Sequence, residues 1–304
     1  MDTRKVTSST GTPPAEFDID AALVAGLLAD QHADLARLPL RAIDAGWDNA
    51  MFRLGDRLAV RLPRRAVAAA LIAHEQSWLA NLADRLALPI PVPYRVGAPA
   101  RGYPWRWSVV PWLSGTPADQ HEPHASQAGS FAAFLRSLHV PAPAGAPANA
   151  MRGVPLSQRA AGIEERMRRL ERGTGLITPR IWRVWDEALS APLDVPSTWL
   201  HGDLHPRNVL VRGGAISGII DWGDITSGDR ATDLAAIWML FDDPRARDQA
   251  LAAYGCSEAT LLRARGWAAL FGVILLDSGL VDNPRNAAIG ERTLRRVAER
   301  SKHV

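Results

Sequence analysis

His201-Gly202-Asp203-Leu204-His205-Pro206-Arg207-Asn208 places an aspartate five residues before an asparagine. Ile219-Ile220-Asp221-Trp222-Gly223 adds a second aspartate thirteen residues after that asparagine. Phosphoryl transfer from a nucleotide needs three such groups. One carboxylate orients and deprotonates an attacking hydroxyl, while an asparagine and a second carboxylate hold the magnesium that bridges the phosphates. Either run alone reads as turn chemistry, because Asp and Asn bond their own backbone in loops. Here both occur in order. Between them lies a hairpin: Val209-Leu210-Val211, a turn at Gly213-Gly214, then Ala215 to Ile220.

These groups need a scaffold that brings two loops together. The 304 residues are enough for one large or two ordinary domains. With 47% hydrophobic and 22% charged residues, the composition is that of a soluble globular chain. No apolar run approaches the roughly 20 residues that span a bilayer. Residues 1–16 are polar, without the apolar stretch of a signal peptide, and are expected to form a disordered leader, with the cytoplasm as the location. The single Cys256 cannot form an internal disulfide and reads as a small apolar residue. The net charge is only +3. The densest basic run, Arg166, Arg168, Arg169 and Arg172, alternates with Glu164, Glu165 and Glu171. It reads as a solvated helix face rather than a nucleic-acid surface.

Along the chain, 40–111 reads as a small sheet with one helix. Leu40 to Ile43 alternates as a strand, and Met51–Leu54 and Arg57–Leu62 flank the Gly55-Asp56 turn. The apolar spacing of Leu71, Ile72, Trp78, Leu79 and Leu82 predicts a helix over 66–82. Trp105 to Val110 alternates again and runs into Pro111-Trp112-Leu113-Ser114-Gly115, a hinge. Residues 140–150, rich in Pro and Ala, read as a loop or linker. Helices are predicted over 126–139, 156–172, 179–190, 229–241, 244–254, 258–279 and 284–300. The expected division is a leader over 1–16, a nucleotide-binding N-lobe over 17–113, and a helical C-lobe over 114–304 that carries the chemistry.

The HGDLHPRN and IIDWG runs resemble the aminoglycoside phosphotransferase family, the antibiotic-kinase branch of the protein-kinase-like fold. The Leu58–Arg65 run is also similar to the macrolide phosphotransferase branch. The resemblance spans about 40–240 and implies an α+β, bilobal, protein-kinase-like fold. By position it implies Asp203 as catalytic base and Asn208 and Asp221 as magnesium ligands, with ATP or GTP as phosphate donor and a small-molecule hydroxyl as acceptor. Asp203 must then be ionised and within reach of that hydroxyl. Asn208 and Asp221 offer hard oxygen donors. His201 and His205 are expected to brace the loop by hydrogen bonds, and Asp233 to anchor it through backbone N–H groups.

The N-lobe departs from the protein-kinase pattern twice. Gly46-Trp47-Asp48-Asn49 stands where a glycine-rich loop would be, and the residues alone fit either a hairpin turn or a phosphate-facing loop. The resemblance favours the second. The chain also has no lysine between Lys5 and Lys302. Arg61 takes the position of the phosphate-gripping lysine, with Glu75 as its expected ion-pair partner, although a planar guanidinium grips phosphate differently from an ammonium. Adenine would bond hinge backbone near Val110 to Leu113. Pro111 has no N–H, so Val110 or Trp112 is expected to donate.

The acceptor is expected between the catalytic loop and the C-terminal helices. Residues 201–290 hold eleven acids and eight arginines. Asp224, Asp229, Asp242, Asp243, Asp277 and Asp282 would suit a cationic amino sugar, or are ordinary caps and surface charges. Trp238, Met239, Phe241, Trp267 and Phe271 would line an apolar macrolide pocket, or form core. Three functions stay open: an antibiotic O-kinase, a metabolite kinase of the same fold, and a nucleotide-binding pseudokinase or interaction module. The last is supported only by the missing glycine loop and lysine.

Overall fold

Alternating side chains and a glycine turn produce the central hairpin of the N-terminal sheet. Ala50, Phe52 and Leu54 of β2 (Asn49–Leu54) and Val60 and Leu62 of β3 (Leu58–Pro63) point into the core. Gly55 turns the chain between them with a φ of 56°. The computed structural model describes residues 14–43 and 48–299. β1 (Leu40–Ala42), β4 (Arg95–Gly97) and β5 (Trp107–Pro111) complete an antiparallel sheet of order β1-β2-β3-β5-β4. Of the leader residues, 1–13 lie outside the described range. Glu16, at its end, donates its N–H to the Arg64 carbonyl at 2.9 Å.

Two helices cover this sheet. α1 (Ala21–Gln31) was not foreseen, although its signals are present. Asp20 caps it by accepting from the Leu23 N–H at 2.7 Å, and Val24, Leu27 and Leu28 are buried at helical spacing. α2 (Ala66–Ala83) buries Ala68, Ile72, Glu75, Leu79 and Leu82 on one stripe. Glu75 is the charged exception on that stripe, and its partner belongs to the site.

Beyond the hinge the chain becomes mainly helical. α3 (Ala128–Leu138), α4 (Ala160–Thr174), α5 (Pro179–Ser190), α8 (Pro244–Tyr254), α9 (Glu258–Asp282) and α10 (Pro284–Ala298) follow the predicted order. The single helix predicted over 229–241 is two short ones, α6 (Ala231–Leu234) and α7 (Ala236–Leu240). α9 departs from the sequence reading: by length and composition it could cross a bilayer, yet 72% of its apolar stretch is buried inside the protein. It is the core helix, with Trp267 and Phe271 packed at its centre. The charges within it kept it from reading as one apolar run. Arg263 is buried against Asp229, 2.7 Å from its carboxylate, and Asp277 against Arg169.

Two small sheets carry the loops of interest. β6 (Thr116–Pro117), β8 (Val209–Arg212) and β9 (Ala215–Ile219) form one, and β7 (Thr198–Leu200) pairs with β10 (Thr226–Gly228) in the other. The HGDLHPRN loop runs from β7 to β8, and Asp221 follows β9. The 140–150 segment leads into a strap over β10. The Pro147 carbonyl accepts from the Ser227 N–H at 3.1 Å and the Thr226 hydroxyl at 2.9 Å.

Candidate active site

Asp233, fully buried on α6, holds the catalytic loop. Its carboxylate accepts from the His201 N–H at 2.7 Å and the Gly202 N–H at 2.9 Å. His201 is also buried. Its Nδ1 accepts from the Asp203 N–H at 3.2 Å, which leaves Nε2 to donate to the Ile220 carbonyl at 3.0 Å. One neutral imidazole therefore ties the Asp203 loop to the segment preceding Asp221. Trp222, fully buried, packs against that ring.

The Asp203 backbone carbonyl accepts from the Asn208 side-chain amide at 2.9 Å. This holds the Asn208 amide nitrogen against the loop backbone. His205 does more than brace the loop. Its Nδ1 accepts from the Arg207 N–H, and its Nε2 lies 3.3 Å from the Asp203 carboxylate. The other Asp203 oxygen accepts from Arg152 Nη2 at 2.7 Å. Burial would raise the Asp203 pKa, but the Arg152 charge and His205 outweigh it and hold the carboxyl well below the ordinary range.

Arg152 was not singled out from the sequence, because it follows a stretch that reads as a linker. The strap places it. The Asn149 amide donates to Asp224 at 2.7 Å, Gly153 N–H to the Thr232 hydroxyl at 3.2 Å, and Asp229 N–H to the Gly153 carbonyl at 2.8 Å. Gly153 has a φ of 69° and lies so close to Gly228 that a Cβ on Gly228 would sit 2.3 Å from the Gly153 oxygen. The guanidinium of Arg152 also lies 5.0 Å from the Phe271 ring centre. The available signal was an arginine between a polar Asn149 and a glycine needing a left-handed conformation.

On the sheet side, buried Arg61 bridges two carboxylates. Its Nη1 lies 2.7 Å from Glu75 Oε2 and its Nη2 3.1 Å from Asp221 Oδ1. Burial opposes its charge, yet Glu75 and Asp221 raise its pKa above the ordinary value. Asp221 adopts φ 62°, a left-handed conformation uncommon outside glycine, and its side chain is 55% exposed. Arg61 thus links the sheet, α2 and the segment after β9.

The Asp48–Asn49 end of the N-lobe loop approaches the same region. Asp48 is ion-paired to Arg65. Burial raises its pKa against Arg65, and the negative charges of Asp221 and Asp203 add to the rise. Asn49 starts β2 opposite Pro63. Gly46 and Trp47 lie outside the described residues.

The hinge residues named from the sequence lie against β3 and the turn before it. Trp112 N–H donates to the Arg57 carbonyl at 2.8 Å, and Val110 faces Ala59 in the β3–β5 register. The reason is strand alternation: successive backbone groups point to opposite edges. Tyr94 N–H bonds the Val109 carbonyl on the other edge.

Most candidate acceptor groups are engaged elsewhere. Asp229 pairs with Arg263, Asp277 with Arg166 and Arg169, Asp242 with Arg296, and Asp243 caps α8. Trp238, Met239, Phe241, Trp267 and Phe271 are all buried, which makes them core rather than an open macrolide pocket. Asp224 remains beside the catalytic loop, bound to Asn149.

No cluster of three or more His, Cys, Asp or Glu suited to a metal occurs among the described residues. Magnesium does not need one, since it takes one or two carboxylates and completes its shell with phosphate oxygens and water. The half-exposed Asp221 carboxylate and the Asn208 amide oxygen fit that requirement.

A family model described as the phosphotransferase enzyme family matches residues 39–270. No curated protein sequence matches the chain. Solved structures with the same fold include the GDP complex of aminoglycoside 2'-phosphotransferase-IIIa. It is 17% identical, with a TM-score of 0.67, over 92% of this chain and 99% of that one. The macrolide 2'-phosphotransferase MphH from Brachybacterium faecium is 19% identical, with a TM-score of 0.59, over 90% and 97%. The ADP-bound aminoglycoside phosphotransferase APH(2'')-Ib is 16% identical, with a TM-score of 0.60, over 92% and 99%. At these identities the likeness is one of fold.

Proposed function

Since the chain belongs to the phosphotransferase enzyme family, we propose that it moves the γ-phosphoryl group of a nucleoside triphosphate to a hydroxyl of a small molecule, with Asp203 as general base. The observation that carries this reading is the setting of Asp203. It is ionised, on a loop fixed by Asp233 and His201, and its own carbonyl orients Asn208. In the reaction the acceptor oxygen bonds to the γ-phosphorus, its proton passes to Asp203, and the bond to the β-phosphate oxygen breaks to release the nucleoside diphosphate. Asn208 and Asp221 would hold magnesium, which when bound neutralises and aligns the phosphates. On this reading Arg61 would grip phosphate from the sheet side, and hinge backbone near Val110 to Leu113 would meet the purine edge.

The acceptor class rests on likeness. The structural neighbours are named as aminoglycoside and macrolide phosphotransferases, so an antibiotic-like hydroxyl is the first class to offer. Neighbours are described in complex with GDP and with ADP, so both nucleotides enter the test. Against the pseudokinase reading stands Arg61, which forms the Glu75 ion pair expected of the missing lysine.

The deciding experiment is a mass-spectrometric screen for phosphorylated product with magnesium, ATP or GTP, and a panel of aminoglycosides, macrolides and small alcohols. Wild-type product is expected to fall by roughly 10²- to 10⁴-fold in Asp203→Asn, the usual contribution of a general base. Nucleotide binding should persist in that variant. Equal product from both proteins would remove Asp203 from the chemistry.

A further inference from the structure

Arg152 is the least expected feature of the site, because it clamps the very carboxylate that must accept a proton. We propose that Arg152 is a specificity-determining residue, and that the acceptor carries an anionic group, such as a carboxylate, close to the hydroxyl that is phosphorylated. The inference takes the chemistry of Asp203 from the reading above and adds the class of acceptor.

The clamp is built, not incidental. Arg152 is 18% exposed, its Nη2 is 2.7 Å from Asp203, and its guanidinium rests near the Phe271 ring. The strap that carries it is bonded to Asp224, Thr226, Ser227, Asp229 and Thr232. Its buried Nε has no hydrogen-bond partner among the described residues, so a donor is left over.

A second guanidinium lies in the field of Arg152. Arg159 donates to the Met151 carbonyl at 2.6 Å, and among the described residues no carboxylate pairs with it. Burial and the charges of Arg152 and Arg166 lower its pKa to about 10. Asp224, the other carboxylate in the field of Arg152, is bound by Asn149, and its pKa is raised by burial. Arg152 is therefore the guanidinium that bonds Asp203, with Arg159 behind it on the Met151 carbonyl.

A carboxylate held by a guanidinium is a weak proton acceptor. A cationic amine arriving at Asp203 would meet the charge of Arg152 and leave the clamp shut. An anionic substituent would instead attract Arg152, whose fork matches a carboxylate in two-point contact, and would free the Asp203 oxygen for the hydroxyl. Ground-state recognition and activation of the base then come from one contact.

The test uses hydroxyl compounds matched on one carbon skeleton, carrying a carboxylate, its methyl ester or an ammonium group. Wild-type, Arg152→Lys and Arg152→Gln proteins are compared by calorimetric affinity in the presence of the nucleoside diphosphate, and by kcat/KM with magnesium and ATP. The wild type is expected to prefer the carboxylate by about tenfold or more in both readouts, equivalent to a single charge-assisted contact. Arg152→Gln should lose the preference and Arg152→Lys keep part of it. Tighter binding of the ammonium compounds, or a preference unchanged in Arg152→Gln, overturns the proposal. Carboxylate-selective binding without product from any compound would support the anion site and count against the kinase reading instead.

Discussion

Arg61 has a structural role in its ion pairs and a proposed chemical one at phosphate, and the two can be separated. Its guanidinium is buried between Glu75 and Asp221, so truncation strands a buried glutamate and, on the proposed function, also removes a phosphate contact. Arg61→Ala is expected to cost about 3–5 kcal/mol of folding stability, the usual result of breaking a buried pair. The double variant Arg61→Leu, Glu75→Leu should regain most of that stability in urea unfolding while nucleotide affinity stays weak. Wild-type nucleotide affinity in the double variant would show that Arg61 does not bind phosphate. The two readouts separate the roles because the leucine pair restores packing but not charge.

At the scale of elements, the strap and β10 act together. Gly153 and Gly228 touch backbone to backbone, and that closeness sets where Arg152 stands over Asp203. Gly228→Ala should push the strap outward. A stability loss of about 1–3 kcal/mol is expected, in the range of overpacked sites. The distinguishing readout is the acceptor: kcat/KM should change more than nucleotide affinity, because the strap bears on Asp203 through Arg152 and not on Arg61. Equal losses in both would mean that the strap is only structural. α6 has a similar task. Asp233 receives two loop N–H groups, and Asp233→Asn is expected to cost about 1.5–3 kcal/mol, since a charged acceptor is replaced by a neutral one. Chemical denaturation measures that loss.

For the whole molecule, α9 decides how the helical lobe holds together. It is apolar enough for a bilayer, yet it is surrounded by protein and carries buried charges that need partners. Arg263 meets both Asp229 and Asp194, which connects the core helix to the segment just after β10 and to the chain ahead of β7. Arg263→Met should destabilise the fold by about 3–5 kcal/mol, because Asp229 would remain buried and unpaired. A small change in the unfolding midpoint would show that water reaches Asp229. If α9 is a core helix, the protein should stay at the bottom of a vesicle flotation gradient. Co-flotation with vesicles would contradict that.

Much of this was legible in the amino-acid order because it depends on neighbours in the chain. Alternation around Gly55-Asp56 specifies a hairpin, the spacing of Ile72, Leu79 and Leu82 specifies a helix face, and the intervals between Asp203, Asn208 and Asp221 name a phosphoryl-transfer set. α1 is encoded locally too, through the Asp20 cap and its apolar spacing. Contacts over long sequence separations were a different matter. The clamp from Arg152 to Asp203 spans 51 positions and that from Arg61 to Asp221 spans 160. No periodicity or local propensity encodes such distances, because they depend on where a strap and two sheets come to rest. The direction of the hinge N–H groups was likewise decided by pairing, since the same strand presents its donors to either edge according to register. Sequence named the atoms that could do chemistry. Tertiary packing decided which charges stand beside them, because burial and Coulomb attraction act through space and not along the chain.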